Sequence, residues 1–342
     1  MRFVIYTFLA VQFLLAPPAQ ASDLDLGGSI ELQARTFLHS PAWVGQEHQA
    51  LQGSLISTTE FRWRSEAGSQ RASLIPYLRW DTTDSERSLA DLREAYWAFE
   101  ADNYELLVGA NTVFWGVTES VHLVDIINQT DFAGDIDGED KLGQPMVSLT
   151  LQRDWGEFSA FVMPYFRERT FAGADGRFRA PLPVDSDTPR YESSDGEEHV
   201  DYALRYSHYF GDVDIGVHAF SGTSREPRFI PSADGQSLVP AYDQIGQVGV
   251  DLQYTRDAWL WKLEAIARDG AEERFAAAVG GFEYTFYQVG ESSSDVGLLL
   301  EYQYDGRDER EPVTLADNDV FVGTRLALND VQDSAVLAGV SY

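Results

Sequence analysis

Val296-Gly297-Leu298-Leu299-Leu300-Glu301-Tyr302-Gln303-Tyr304 places Val296, Leu298, Leu300, Tyr302 and Tyr304 on one side of an extended chain. Glu301 and Gln303 then fall on the other side. Successive strand residues point to opposite faces, so this is a strand with one apolar and one polar face. The same period of two runs through Ile30-Glu31-Leu32-Gln33-Ala34-Arg35-Thr36, where Ile30, Leu32 and Ala34 oppose Glu31, Gln33 and Arg35. From Leu55 to Trp63, Phe61 and Trp63 oppose Glu60, Arg62 and Arg64. Val248, Val250, Leu252 and Tyr254 oppose Gln247, Asp251 and Gln253.

Alternation predicts strands near 28–38, 52–65, 70–80, 90–100, 104–114, 145–153, 156–165, 199–209, 213–222, 244–255, 258–268, 274–287, 295–304, 318–328 and 334–342. A length of about ten residues suits a tilted transmembrane strand. Short turns at Ala67-Gly68-Ser69, Ala101-Asp102-Asn103, Asp154-Trp155, Gly211-Asp212 and Arg256-Asp257 separate longer segments at 39–51, 115–144, 166–198, 223–243 and 305–317. This alternation of short and long connections predicts a barrel with tight periplasmic turns at one end and extended external loops at the other. Trp63, Trp80, Trp97, Trp259, Trp261, Tyr254 and Tyr304 lie near strand ends, where amphipathic rings settle at membrane interfaces. The expectation is an all-β, antiparallel up-and-down transmembrane barrel. Fifteen strands are marked, yet single-chain bacterial barrels carry an even number, so about sixteen are expected and a closing strand is unaccounted for. Val336, Ala338, Val340 and Tyr342 end the chain in an alternating pattern with a terminal aromatic, of the kind barrel assembly machinery reads.

The first residues address the compartment. Arg2 precedes an apolar run from Phe3 to Leu15, and Ala19-Gln20-Ala21 follows as a small-x-small cleavage signal. Residues 1–21 read as a signal peptide cut after Ala21, and 22–342 as one barrel domain in the outer membrane of a Gram-negative cell. No later apolar run reaches the roughly 20 residues of a membrane helix. The net charge of -30 excludes a nucleic-acid partner, because phosphate binding needs a basic surface. Zero cysteines remove disulfides, thiol nucleophiles and thiolate metal sites. The partners expected are outer-membrane lipid, lipopolysaccharide, the barrel assembly machinery and small solutes. A homo-oligomer is compatible with the pattern, although no stretch marks an interface.

Two sets of residues are candidates for function. Arg62, Arg64, Arg79, Glu94, Arg205, Asp251, Lys262, Glu264, Arg268, Glu301 and Arg325 have the parity of the lumen face. Charged lumen walls hold water and set selectivity in channels, or else pair with one another and merely solvate the wall. Segment 115–144 follows the fifth strand and is the third external loop. Val121, Leu123, Val124, Ile126 and Ile127 make it too apolar to stand in water. Folded into the barrel it would narrow the pore, with Trp115, Glu119, His122, Asp125, Asn128 and Asp131 as constriction candidates; packed on the rim it would not.

Leu92-Arg93-Glu94-Ala95-Tyr96-Trp97, Leu107-Val108-Gly109, Val113-Phe114-Trp115-Gly116 and the spacing Asp125, Asn128, Asp131-Phe132 resemble a family of porin-like proteobacterial outer-membrane proteins. That family is distantly similar to alginate-export and phosphate-selective porins. Where its segment reads Asn-Pro-x-Asp, this chain has Asn128-Gln129-Thr130-Asp131. The resemblance implies a barrel and a transport role and names no solute.

Other chemistry finds little support. No Gly-x-Ser-x-Gly elbow or His-Glu-x-x-His occurs, and Ser207-His208 face opposite sides of one strand. His122 near Asp125 is the one pairing of catalytic residue types in the third loop, and no enzyme activity, metal or cofactor is expected. Asp135 to Asp140 is acidic but lacks the ligand order of a calcium loop. Such carboxylates suit bridging to lipopolysaccharide phosphates through divalent ions. The reading is a porin-like channel for small solutes; the alternative is a structural or ligand-binding barrel with a plugged lumen.

Overall fold

The computed structural model describes residues 4–12 and 24–342, apart from 136, 309, 315 and 316. Its first strands are β1 (Val4–Gln12), β2 (Leu24–Phe37), β3 (Leu51–Arg64), β4 (Gln70–Asp81), β5 (Leu89–Ala101), β6 (Tyr104–Asn111), β7 (Gln144–Arg153) and β8 (Gly156–Met163). Next come β9 (Arg190–Tyr191), β10 (Asp201–Phe210), β11 (Val213–Thr223), β12 (Arg228–Pro231), β13 (Leu238–Tyr242) and β14 (Gln244–Arg256). The last are β15 (Trp259–Asp269), β16 (Arg274–Phe286), β17 (Asp295–Asp305), β18 (Asp319–Ala327) and β19 (Ala335–Ser341). Sixteen of these form one sheet in which neighbours in the chain are neighbours in space; the other three, β12, β13 and β9, form a small separate sheet.

Each of the fifteen stretches marked by alternation is a strand of the large sheet, and every pairing in it is antiparallel. The apolar faces look outward: Leu78, Trp80, Val248, Leu263, Leu298, Leu300 and Val322 are all exposed. In water this would be a large fault; in lipid it is the low-energy arrangement. At the short-turn end the rings cluster. Trp259 and Trp261 stack 5.6 Å apart, and Trp259 meets Tyr284 edge-on at 4.7 Å. The fold is that of a transmembrane antiparallel up-and-down β-barrel.

Three departures from the alternation have physical causes. β2 starts at Leu24, ahead of the expected 28, because Gly27 and Gly28 carry no side chains to show a pattern. The external segment after β11 holds a hairpin, β12 and β13, which is too short to show a period. The stretch read as the apolar core of an export leader is here a strand: β1 pairs with β2, Val4 opposite Phe37 and Gln12 opposite Ser29. The outer edge of β2 otherwise presents unpaired backbone groups, which an apolar extended run readily pairs with. With β1 counted, the sheet has sixteen positions.

The core lies inside the barrel. Trp115, Val124, Ile126 and Ile127 of loop 112–143 pack with wall residues such as Leu107, Met146, Phe161, Phe220, Ile245 and Ile266. Each such side chain contributes about 1.5–3 kcal/mol when fully buried, so this loop has a strong reason to fold inward.

Candidate functional site

Loop 112–143 leaves the outer end of β6 and turns back at once. Asn128 shapes this turn: its Oδ1 accepts from the Val113 amide at 2.8 Å, and its Nδ2 donates to the carbonyls of Asn111 and Leu142. Asp125 Oδ1 accepts from the amides of Trp115 and Gly116. Gly143 brings the loop out over β5, where an added Cβ would lie 2.1 Å from the Leu92 carbonyl oxygen.

The far end of the loop crosses to β15 and β17. Glu264 Oε1, fully buried, accepts from the amides of Val117 and Thr118 and from the Thr118 hydroxyl, while Oε2 accepts from the Val124 amide. Glu301 accepts from the amides of Glu119 and Ser120 and from the Ser120 hydroxyl. Glu119 in turn meets Arg325 at 2.7 Å and Lys262 at 3.6 Å. Between β6 and β15 lie β7, β8, β10, β11 and β14, so the loop spans the lumen rather than the rim.

His122 sits 3.4 Å from Glu139 and 3.8 Å from Glu264; the second is ion-pair distance, beyond hydrogen-bond reach. Burial pulls its pKa down, but the two carboxylates outweigh burial and hold it up at about 10. Asp125 caps the loop instead of meeting the imidazole, and burial pushes its carboxyl above the usual range.

Asp131 ties the loop to β4 and β5. Arg79 reaches it with two nitrogens at 2.9 and 3.0 Å, Arg93 at 2.9 Å and the Thr170 hydroxyl at 2.7 Å. Burial alone would raise the Asp131 pKa; the hydrogen bonds and charge of Arg79 outweigh it and hold the carboxyl below its usual range. Pro76 cannot donate to the ladder, and the register shifts between Ile75 and Pro76. The resulting bulge leaves Arg93 as the extra residue and points it at Asp131.

Under the loop, Arg205 forms a two-pronged pair with Asp251 at 2.7 and 2.9 Å and lies 4.9 Å beneath the Trp115 ring. A vestibule of about 930 Å³ opens beside them toward the short-turn end, bordered by Arg71, Glu105, Ser148 and Ser207. Arg268 pairs with Glu226 and Gln247 near the outer mouth. Of the remaining candidates, Glu94 lies opposite Ile75 and is half-buried. Arg62 and Arg64 are exposed near the short-turn end, Arg62 at 3.2 Å from Glu60. The structure therefore gathers most of the lumen candidates around the loop and leaves Arg62 and Arg64 apart from it.

Residues not singled out in the sequence complete the arrangement. Arg225 donates to the Ile127 carbonyl and pairs with Asp201 at 2.6 Å. Arg87 pairs with Asp81, and Arg35 with Asp135. The available signal was an arginine on a polar face or in a short loop beside a long acidic one, which is common on any surface.

No protein-family profile matches the chain, and no curated protein matches it. Solved structures do. An OmpF of Salmonella typhi in complex with daunomycin aligns with a TM-score of 0.50 and 8% identity, over 93% of this chain and 89% of that one. A loop-L8 deletion mutant of OmpT, an outer membrane protein of Vibrio cholerae, aligns with a TM-score of 0.50 and 11% identity, over 100% and 93%. The outer membrane channel DcaP of Acinetobacter baumannii aligns with a TM-score of 0.48 and 12% identity, over 96% and 100%. The two likenesses at a TM-score of 0.50 support the barrel fold.

Proposed function

We propose that this barrel is an outer-membrane channel for small solutes in which loop 112–143 is a fixed constriction. The observation that carries the reading is the anchoring of that loop at both sides of the lumen, through Asn128 on one side and Glu264 and Glu301 on the other. A loop meant to swing aside would not place its amides on buried carboxylates. The lumen charges near it are largely paired, so we expect weak charge selectivity, set by Glu119, Lys262, Glu283 and Arg325 along the loop edge. Arg62 and Arg64 then act at the periplasmic entrance.

The test is single-channel recording in a planar bilayer. Stepwise currents support the channel. Silence favours the second reading, a plugged ligand-binding barrel, for which the apolar packing of Val124, Ile126 and Ile127 inside the lumen speaks.

In this reading residues 1–21 are an export leader, and cleavage after Ala21 removes β1 before the barrel meets lipid and lipopolysaccharide. N-terminal sequencing of protein extracted from outer membranes checks this: Ser22 as first residue is expected, and an intact Met1 terminus rejects it.

A further inference from the structure

Below the loop, the vestibule wall carries two carboxylates with no answering cation. Glu157 of β8 and Asp214 of β11 both border the cavity, and neither forms an ion pair or hydrogen bond among the described residues. The arginines deeper in the wall are committed elsewhere: Arg71 pairs with Glu105, and Arg205 with Asp251. Arg153, exposed at the turn, gives Nη1 to the carbonyls of Asn103 and Gln152. With Asp154 beside it, the lining holds five carboxylates against three arginines, so its surplus charge is negative. A cleft lined by a surplus of one sign focuses its field on ions of the other.

The pairing register gives Glu157 and Asp214 a common notch. Glu157 lies opposite Ser207 of β10, and Ser207 opposite Gly216 of β11. Asp214, two residues before Gly216, faces the same side. Neighbouring strands lie about 4.8 Å apart, so the two carboxylates stand two strand spacings apart, with only a serine and a glycine on the floor between them. Gly216 has to stay bare, because an added Cβ would lie 2.3 Å from Arg205 and 2.5 Å from Asp251. Phe114 of the loop lines the same cavity and is 58% exposed, its ring edge-on to His122 at 4.8 Å. Aromatic faces attract cations and cover apolar groups, so an exposed ring and unpaired carboxylates in one cavity call for the same kind of ligand.

We propose that the vestibule binds an organic ammonium ion, its nitrogen between Glu157 and Asp214 and its apolar body against Phe114. An ammonium offers three donors, and both carboxylates have all their acceptor sites unspent. An inorganic cation would leave the Phe114 ring in water, and a neutral solute would leave the carboxylates unanswered. A cavity of about 150 Å³ accommodates benzene, so a single-ring amine occupies only part of these 930 Å³ and keeps some of its water. The proposal names a solute class for the channel reading and rests on that reading for passage, while binding needs no current.

The experiment is calorimetric titration of the purified, detergent-solubilised barrel with 2-phenylethylammonium, with 2-phenylethanol as the uncharged ring and ethylammonium as the ringless cation. The first should bind saturably and at least about tenfold tighter than either control. The double variant Glu157→Gln, Asp214→Asn should weaken it at least about tenfold, and Phe114→Ala at least about threefold. Since Glu157 and Asp214 hold no other group in place, the double variant should keep the melting temperature of the unaltered barrel, so a loss of binding is not a loss of fold. Failure of 2-phenylethylammonium to bind, a match by either control, or unchanged affinity in either variant overturns the site. Bilayer recording separates the two readings. Binding by a silent barrel keeps the site and removes the channel; currents without binding do the reverse.

Discussion

Thr118 gives its backbone amide and its hydroxyl to the same oxygen of Glu264, at 3.0 and 2.7 Å. The two residues belong to opposite parts of the barrel, and their contact converts an external loop into a bar across the lumen. Glu264→Ala strips the acceptor from three loop amides and a hydroxyl, each worth about 1–3 kcal/mol if left dry. Water in the lumen will recover part of that. The loop should loosen, giving larger and noisier single-channel currents and new protease cleavage within 112–143. Glu264→Gln, which keeps one acceptor oxygen, should fall between. Quiet currents of unchanged size would refute the anchoring role.

Arg79 and Asp131 form the counterpart anchor, both side chains almost fully buried. Removing one member of a buried pair costs about 3–5 kcal/mol, and Arg93 still reaches Asp131, so Arg79→Ala should sit at the low end. Arg62→Ala, at an exposed position, should change thermal stability by less than about 0.5 kcal/mol. Heat-induced loss of the compact band on gels distinguishes the two, and equal effects would contradict the placement.

The barrel was legible because lipid imposes a rule that a short stretch of residues can reveal: every second side chain must be apolar. Leu298, Leu300 and Tyr302 carry that rule on their own. The inward fold of loop 112–143 was half legible, since Val124, Ile126 and Ile127 demand cover without saying where. The anchors were not. Glu264 and Glu301 look like any lumen carboxylates, and their partners are backbone amides that leave no mark in a sequence. Arg93 was hidden further, because the bulge opposite Pro76 shifts the strand parity on which the lumen assignments depend.

His122 gives the loop a pH dependence. Its pKa in the folded chain is about 10, against about 6.5 for an ordinary histidine. The folded state keeps a proton that the unfolded chain has lost, so this stabilisation is whole below about pH 6.5 and falls as pH rises. It is gone above about pH 10. Melting temperature should decline across that window, and His122→Gln should flatten the decline. Gly116→Ala should do likewise, because its added Cβ would lie 2.5 Å from His122 Nδ1. A decline of equal slope in both variants would assign the pH dependence elsewhere.

Leu263 and Glu264 are adjacent on β15 and face opposite media, Leu263 exposed on the outer face and Glu264 buried within. Leu263→Arg puts a guanidinium toward lipid, at a cost of about 2–4 kcal/mol if the position is near the bilayer midplane. In detergent, where the head can reach water along its flexible stem, the cost should shrink. Urea titration of folding into lipid vesicles should therefore show a lowered midpoint for Leu263→Arg, with little change in micelles. The same midpoint in vesicles as for the unaltered chain would mean that this face does not meet lipid, and the barrel assignment would fall with it.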